Sequence, residues 1–231
     1  MTSEKLLSTG LPALDIELEG GLFPGSLVYI KADPMAMGDM FLYHFIRQRP
    51  TYYVNTERKP EFIIRNLEHL DFETEGIKFI DVHQKYYEKV EKLLDHGGEI
   101  RDYKILDYLK RQLEAIEVTD ANLIVDTITF FLYLDVKIDI IRELVDTIYN
   151  TTKRMGGLGY LYGLKGDTSS PVENEVMSLC DAVFEISMIR KSDKTISELI
   201  VPKARDRPVR GNVLKFRIER GVIMDTSREI A

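Results

Sequence analysis

Residues 28–41 read V-Y-I-K-A-D-P-M-A-M-G-D-M-F, from Val28 to Phe41, and this stretch decides how the rest of the chain is read. A β-branched and aromatic run ends at Lys31, a Pro-containing turn follows, and an apolar segment with helical spacing begins at Met40. Strand, tight loop and helix in that order make the opening of a βαβ unit. Such a loop is where a nucleotide-binding protein keeps G-x-x-x-x-G-K-[ST]. Here the corresponding positions hold Met35, Met37 and Asp39, and no lysine follows a glycine.

The pattern continues outward from that unit. Strands are expected at 26–31, 52–55, 77–82, 121–125 and 159–164, alternating with helices at 40–48, 60–70 and 138–153. The charged segment 84–117 reads as two helices divided at Gly97-Gly98, and the long helix after it stops at Gly156-Gly157. From 182 onward the alternation turns antiparallel, with strands at 183–188, 196–201, 213–218 and 222–225 and a tight turn at Gly221. Residues 165–171 and 205–211 are the flexible candidates. Tyr52, Tyr53, Phe130, Phe131 and Tyr133 read as sheet and core residues. The expected fold is α/β: a mostly parallel twisted sheet flanked by helices, with an antiparallel C-terminal edge.

Composition bounds the function. The 231 residues are 44% hydrophobic, enough for a large core, and an α/β chain of this length is expected to form a single domain over 1–231. The net charge of −7 lowers the expectation of general nucleic-acid or membrane-surface binding. One cysteine, Cys180, allows no intrachain disulfide, and no apolar run suits a signal peptide or a spanning helix, so a cytoplasmic location is expected. His44, His69, His83 and His96 stand too far apart for a metal set.

Further landmarks carry a resemblance. L-S-T-G-L-P-A-L-D from Leu7 to Asp15 and G-G-L-F-P-G-S-L-V from Gly20 to Val28 resemble the segment that leads into the first core strand of RecA-superfamily ATPases of the KaiC and RadA type. Y-V-N-T-E-R-K-P-E-F-I-I-R-N, from Tyr53 to Asn66, is similar to the strand and helix presenting that family's catalytic glutamate, with Glu57 in its place. N-L-I-V-D-T-I-T, from Asn122 to Thr129, resembles the Walker B strand, with Asp126 as its acid. V-P-K-A-R-D, from Val201 to Asp206, resembles the K-x-R stretch with which KaiC-like subunits reach a neighbour's nucleotide, which implies a subunit contact through Lys203 and Arg205. The resemblance spans nearly the whole chain and implies the RecA-like P-loop NTPase fold. Proteins of this kind abound in archaea, and the richness in Glu, Lys and Ile agrees with such a source.

The phosphate loop departs from that pattern. Aligning Asp33-Pro34 with the family's D-P puts Ala32 and Met37 at the glycines, Gly38 at the lysine and Asp39 at the Ser/Thr that holds Mg²⁺. A one-residue shift restores Gly38 as a glycine but makes the lysine Asp39. The segment Ala32, Asp33, Pro34, Met35, Ala36, Met37, Gly38, Asp39 is therefore read as a degenerate Walker A loop with no cofactor expected. Asp39 is expected to stand in for the phosphate by capping the helix that starts there, and Met35 and Met37 to fill the vacated space. Glu57 and Asp126 then become vestigial. Glu57 can be a base or a solvated strand-end carboxylate, and Asp126 can bind Mg²⁺ through water or fix the loop by hydrogen bonds. Arg58 stands where many KaiC-like proteins carry a second acid.

The segment 201–220 holds seven cationic residues (Lys203, Arg205, Arg207, Arg210, Lys215, Arg217, Arg220) against two acids, a net +5 that leaves −12 for the rest. That split favours a subunit contact over DNA, and Phe216 alone among these charges offers little stacking surface. The resulting expectation is a noncatalytic regulatory or scaffold protein, self-associating or paired with a catalytic RecA/KaiC-like relative. Two alternatives stand beside it. One is an ATPase in signalling or recombination, using ATP and Mg²⁺ with Glu57 as base, Asp126 on the metal, and Lys31 or a neighbour's Lys203 as the phosphate cation. The other is a DNA-binding recombination accessory.

Overall fold

The computed structural model describes residues 5–88, 98–166, 170–191 and 194–225. Nine strands form one sheet in the order β3-β2-β4-β5-β1-β6-β7-β8-β9. The parallel part comprises β1 (Leu27–Ala32), β2 (Thr51–Asn55), β3 (Ile77–Asp81), β4 (Ala121–Asp126), β5 (Gly156–Leu164) and β6 (Ala182–Lys191). The antiparallel part adds β7 (Lys194–Ala204), β8 (Leu214–Ile218) and β9 (Val222–Met224), with Ile186 opposite Leu199 and Arg217 opposite Ile223. This is the α/β sheet with an antiparallel C-terminal edge that the alternation predicts, and strand ends agree within a few residues.

Each side of the sheet has its own core. On one face α2 (Asp39–Ile46) and α3 (Pro60–His69) bury Phe41, Phe45, Ile63 and Leu67 against Val28, Ile30 and Tyr160. On the other, α5 (Gly98–Glu114), α7 (Ile138–Met155) and α8 (Pro171–Leu179) bury Leu109, Leu144, Ile148 and Val176 against Leu27, Tyr29 and Val125. Period-2 alternation along β1 assigns Ile30 to the first face and Tyr29 to the second. β4 is buried at all six positions, as a central parallel strand should be.

The short elements differ from expectation. An apolar turn, α1 (Pro12–Glu17), precedes the sheet, and α4 (Val82–Tyr87) follows β3 directly, with Asp81 accepting the Gln84 amide as its cap. Of the expected Gly97-Gly98 break, Gly97 lies outside the described residues, as does His96. The Phe130–Tyr133 stretch is neither strand nor wholly core. Thr127 Oγ1 accepts the Phe130 amide and starts α6 (Ile128–Leu132), which turns Phe131 inward and leaves Tyr133 81% exposed. α8 begins inside the segment expected to be flexible, of which 167–169 lie outside the described residues. Its start is coded locally: Ser170 Oγ accepts the Glu173 amide at 3.1 Å and Pro171 takes the first helical position.

One glycine position is required by close approach. A Cβ at Gly157 would overlap the Ala121 carbonyl, beside the register shift between β4 and β5. The S-T-G-L-P-A-L-D element also has a local purpose. The Asp15 carboxylate accepts from Ser8 Oγ, the Thr9 amide and Thr9 Oγ1, which folds the N-terminal segment back on α1.

Candidate functional site

The site lies at the carboxyl ends of β1, β2 and β4. The loop leaving β1 is closed on itself. Asp33 Oδ1 accepts the Met35 amide at 2.8 Å, and the Asp33 carbonyl accepts the Ala36 amide at 2.9 Å, giving a 3₁₀ turn over Pro34–Ala36. Met37 is left-handed (φ 52°), and the Met37 and Gly38 carbonyls accept the amides of Met40 and Phe41. The Asp33 amide donates to Ile186 on β6 at 2.8 Å. Five backbone donors of a loop that could cradle an anion are thus spent on the protein itself.

Two expectations about this loop are corrected. Met35 and Met37 do not fill a hole; they are 70% and 51% exposed. The 3₁₀ turn and the left-handed residue after it send both side chains outward and only Ala36 inward. Asp39 does not cap α2 either. The Met40 and Phe41 amides are already taken, and the carboxylate turns instead to Arg58, with Oδ2 3.4 Å from its NH2. At Gly38 an added Cβ would come within 2.6 Å of the Ala32 Cβ and 3.2 Å of the Tyr162 ring, so the Ala32 methyl and the Tyr162 ring occupy the space in which a longer side chain would begin.

Arg58 is the residue that organises the site. β2 ends at Asn55, whose Nδ2 donates to the Arg58 carbonyl at 2.9 Å and to Asp81 at 2.8 Å, fixing the bend after the strand. The guanidinium then reaches back to lie 3.3 Å from Asp126 Oδ2 as well as 3.4 Å from Asp39. Asp126 is buried and accepts the Tyr53 hydroxyl at 2.6 Å. Burial raises its carboxyl above the usual carboxylate range, against the opposing pull of Arg58 and the Tyr53 hydrogen bond. For Arg58, burial alone would lower the pKa, but Asp126 and the neighbouring groups outweigh it and drive it upward. Burial raises the hydroxyl pKa values of Tyr43, Tyr53 and Tyr162, all within the field of the same charges. The result is a carboxylate–guanidinium–carboxylate chain with a net charge of −1, walled by three tyrosines.

The other residues singled out by sequence are placed as follows. Glu57 is exposed and accepts weakly from Thr127 Oγ1 at 3.4 Å. Thr56 Oγ1 donates to the Asp126 carbonyl and accepts the Thr127 amide, locking β2 to β4; the Asp126–Thr127 peptide is cis. Lys31 pairs with Glu173 of α8 at 3.8 Å, on the sheet face away from α2. Lys203 Nζ donates to the carbonyls of Met177 and Ser178, and Arg205 NH2 to those of Ser178 and Leu179, so both close the C-terminus of α8. The basic segment is largely engaged within the chain: Arg207 donates to the Leu18 carbonyl, Arg210 pairs with Glu19 and Arg220 with Asp71. Among the described residues no three His, Cys, Asp or Glu side chains come together as a metal set, and no helix is long and apolar enough to cross a membrane.

Sequence reasoning set Arg58 aside as a departure from the family pattern. The signal that could have found it is charge. Asp39 after β1 and Asp126 at the end of β4 are two acids brought to one edge of the sheet, and Arg58 after β2 is a cation that the same topology places beside them.

A model of a family of unknown function, DUF7125, matches residues 6–231. The chain belongs to that family. A search among curated proteins gives no match. Among solved structures, the KaiC-like protein PH0186 of the hyperthermophilic archaeon Pyrococcus horikoshii OT3 superposes with a TM-score of 0.73 at 18% identity, covering 96% of this chain and 100% of that one. At that identity the likeness carries the fold: the chain has a KaiC-like RecA fold.

Proposed function

We propose that this protein is a noncatalytic RecA/KaiC-like subunit whose degenerate Walker A loop no longer binds ATP, and that it acts as a regulatory or scaffold component through self-association or pairing with a catalytic relative. The observation that carries the reading is Arg58 held between Asp39 and Asp126. A triphosphate entering the loop would meet Asp39 at the start of α2. A carboxylate about 4 Å from a phosphate charge repels it by about 4 kcal/mol at an effective dielectric of 20, whereas a helix N-terminus attracts an anion by only about 0.3 to 1 kcal/mol. Repulsion wins unless a cation intervenes, and the nearby guanidinium is already shared by two carboxylates. Asp126, paired and hydrogen-bonded, is a structural acid here and Glu57 a solvated one. Lys203 and Arg205, at the end of β7 and against the C-terminus of α8, are the residues proposed to meet a neighbouring subunit.

Thermal denaturation with and without millimolar Mg-ATP tests the reading. Ligand at a hundred times its dissociation constant would stabilise by about 2.7 kcal/mol, about 5 to 10 °C for a chain of this size. The expected result is no displacement of the melting curve and no hydrolysis above a Glu57→Gln control. A clear upward displacement, or hydrolysis that Glu57→Gln removes, refutes it.

A further inference from the structure

The sulfur atoms of this chain divide by environment, and the division runs through one short loop. Of the eight methionines, Met1 lies outside the described residues. Met40 and Met155 are buried, and Met177, Met188 and Met224 are half-buried against the two cores. Met35 and Met37 stand apart, 70% and 51% exposed. Cys180, the one thiol, is fully buried, and burial pushes its pKa up to about 12, so it offers almost no thiolate to an oxidant. The accessible sulfur of the described residues is therefore concentrated in Met35-Ala36-Met37.

The backbone sets that placement. The turn over Pro34–Ala36 is closed by Asp33, whose Oδ1 accepts the Met35 amide at 2.8 Å and whose carbonyl accepts the Ala36 amide at 2.9 Å, and the left-handed Met37 follows it. Neither sulfur helps to hold the turn. Oxidation of a sulfur-bearing side chain follows its accessibility. We propose that Met35 and Met37 form a reversible oxidation site for hydroperoxides. A sulfur lone pair attacks the distal peroxide oxygen, the O–O bond breaks and the proton passes to the departing oxygen. The thioether, losing two electrons, becomes a sulfoxide, and the hydroperoxide becomes an alcohol or water. Two thiols reverse the step through a methionine sulfoxide reductase, giving thioether, disulfide and water. Each added oxygen turns a flexible apolar side chain into a polar acceptor. The loop surface thus changes from apolar to polar while the turn beneath it, and the Asp39–Arg58–Asp126 chain beyond, keep their bonds. The site is independent of the noncatalytic reading and stands even if the chain binds ATP.

Dilute hydrogen peroxide applied to the folded full chain, quenched at intervals and mapped by trypsin and mass spectrometry, tests the proposal. Cleavage after Lys31 and Arg47 releases one peptide carrying Met35, Met37 and Met40, so exposed and buried sulfurs are compared within a single fragment. The expected result is two oxygens, on Met35 and Met37, gained at least about tenfold faster than on Met40 and Met155, since access sets the rate. At that stage the melting curve should not move, and reductases of both stereospecificities with a dithiol should restore the starting mass. In urea the three methionines of the peptide are expected to oxidise at similar rates; Met40 equally slow there would trace the difference to local sequence and overturn the proposal. So would Met40, Met155 or a half-buried methionine oxidising as fast as the pair in the folded chain, a melting point that falls as Met35 and Met37 gain oxygen, or sulfoxides that the reductases leave in place. Met35→Leu/Met37→Leu keeps the loop apolar and is expected to gain no oxygen in the time wild type gains two; uptake at the wild-type rate has the same adverse meaning.

Discussion

Replacing Arg58 with Met probes the centre of the site while keeping the length of the stem. Asp126 would lose its guanidinium partner at 3.3 Å and retain only the Tyr53 hydroxyl at 2.6 Å. Removing one partner of a fully buried ion pair costs about 3 to 5 kcal/mol. The Arg58 side chain is 32% exposed and Asp126 keeps a hydrogen bond, so the expected loss at pH 7 falls to about 2 kcal/mol. With a slope of about 2 kcal/mol per molar urea, the unfolding midpoint drops by about 1 M. The pH dependence is distinctive. Burial already holds the Asp126 carboxyl above its ordinary range, and without Arg58 it rises further. A folded-state pKa above the unfolded value penalises the charged form, so stability falls as pH rises through the folded pKa and recovers as pH drops below it. The deficit of Arg58→Met is therefore largest near neutrality and shrinks as pH falls toward the unfolded carboxylate value of about 3.9. Adding Asp126→Asn should recover most of it at pH 7. An unchanged midpoint at pH 7, or a deficit that does not shrink on acidification down to about pH 4, refutes the assignment of Arg58 as the partner that Asp126 depends on.

Other outcomes follow from single contacts. Asn122 bridges the Phe45 carbonyl (3.0 Å) and the Leu158 amide (2.9 Å), so Asn122→Leu, which orphans both, should cost about 2 to 3 kcal/mol by urea denaturation. His44 accepts the Val222 amide at 2.8 Å and is lowered to about 4 by burial, then by Arg47. Its unfolded form protonates near pH 6.5, so the chain should lose stability between about pH 6.5 and 4, and His44→Gln should lose less over that window. Gly157→Ala must displace the Ala121 carbonyl and is expected to cost more than about 3 kcal/mol or leave the chain insoluble on expression. Lys203→Ala with Arg205→Ala uncovers the last carbonyls of α8, and amide exchange in Met177 to Leu179 should quicken while β4 stays protected.

The sheet was legible because its signals are repetitive. Buried parallel strands such as Ala121–Asp126 are unbroken apolar runs, and the shift to alternation after Ala182 marks the antiparallel edge. The short helices were harder. α8 carries the Ser170 cap and the Pro171 start in plain view, but the polar stretch before it hides them. Phe130 to Tyr133 is aromatic enough to look buried, and only the Thr127 cap makes it a helix. At the site, the absence of a lysine between Ala32 and Met40 was readable, and the arginine that lies between Asp39 and Asp126 was not. Spacing along a chain cannot say that residue 58 bends back across two strands to meet residues 39 and 126. Nor does composition show that two methionines face outward, because that depends on one left-handed residue at Met37.

The bridge through Arg58 also bears on how reversible this architecture is. Grafting a lysine at Gly38 alone would thrust it against Ala32 and Tyr162 and set a second cation beside a guanidinium already in place. Removing Arg58 first strands Asp126 in the interior, and removing Asp39 first frees one arm of the guanidinium without making room. Each of these changes is penalised until the others are made, so the three side chains behave as an interlock that favours exchanging them together over exchanging any one alone.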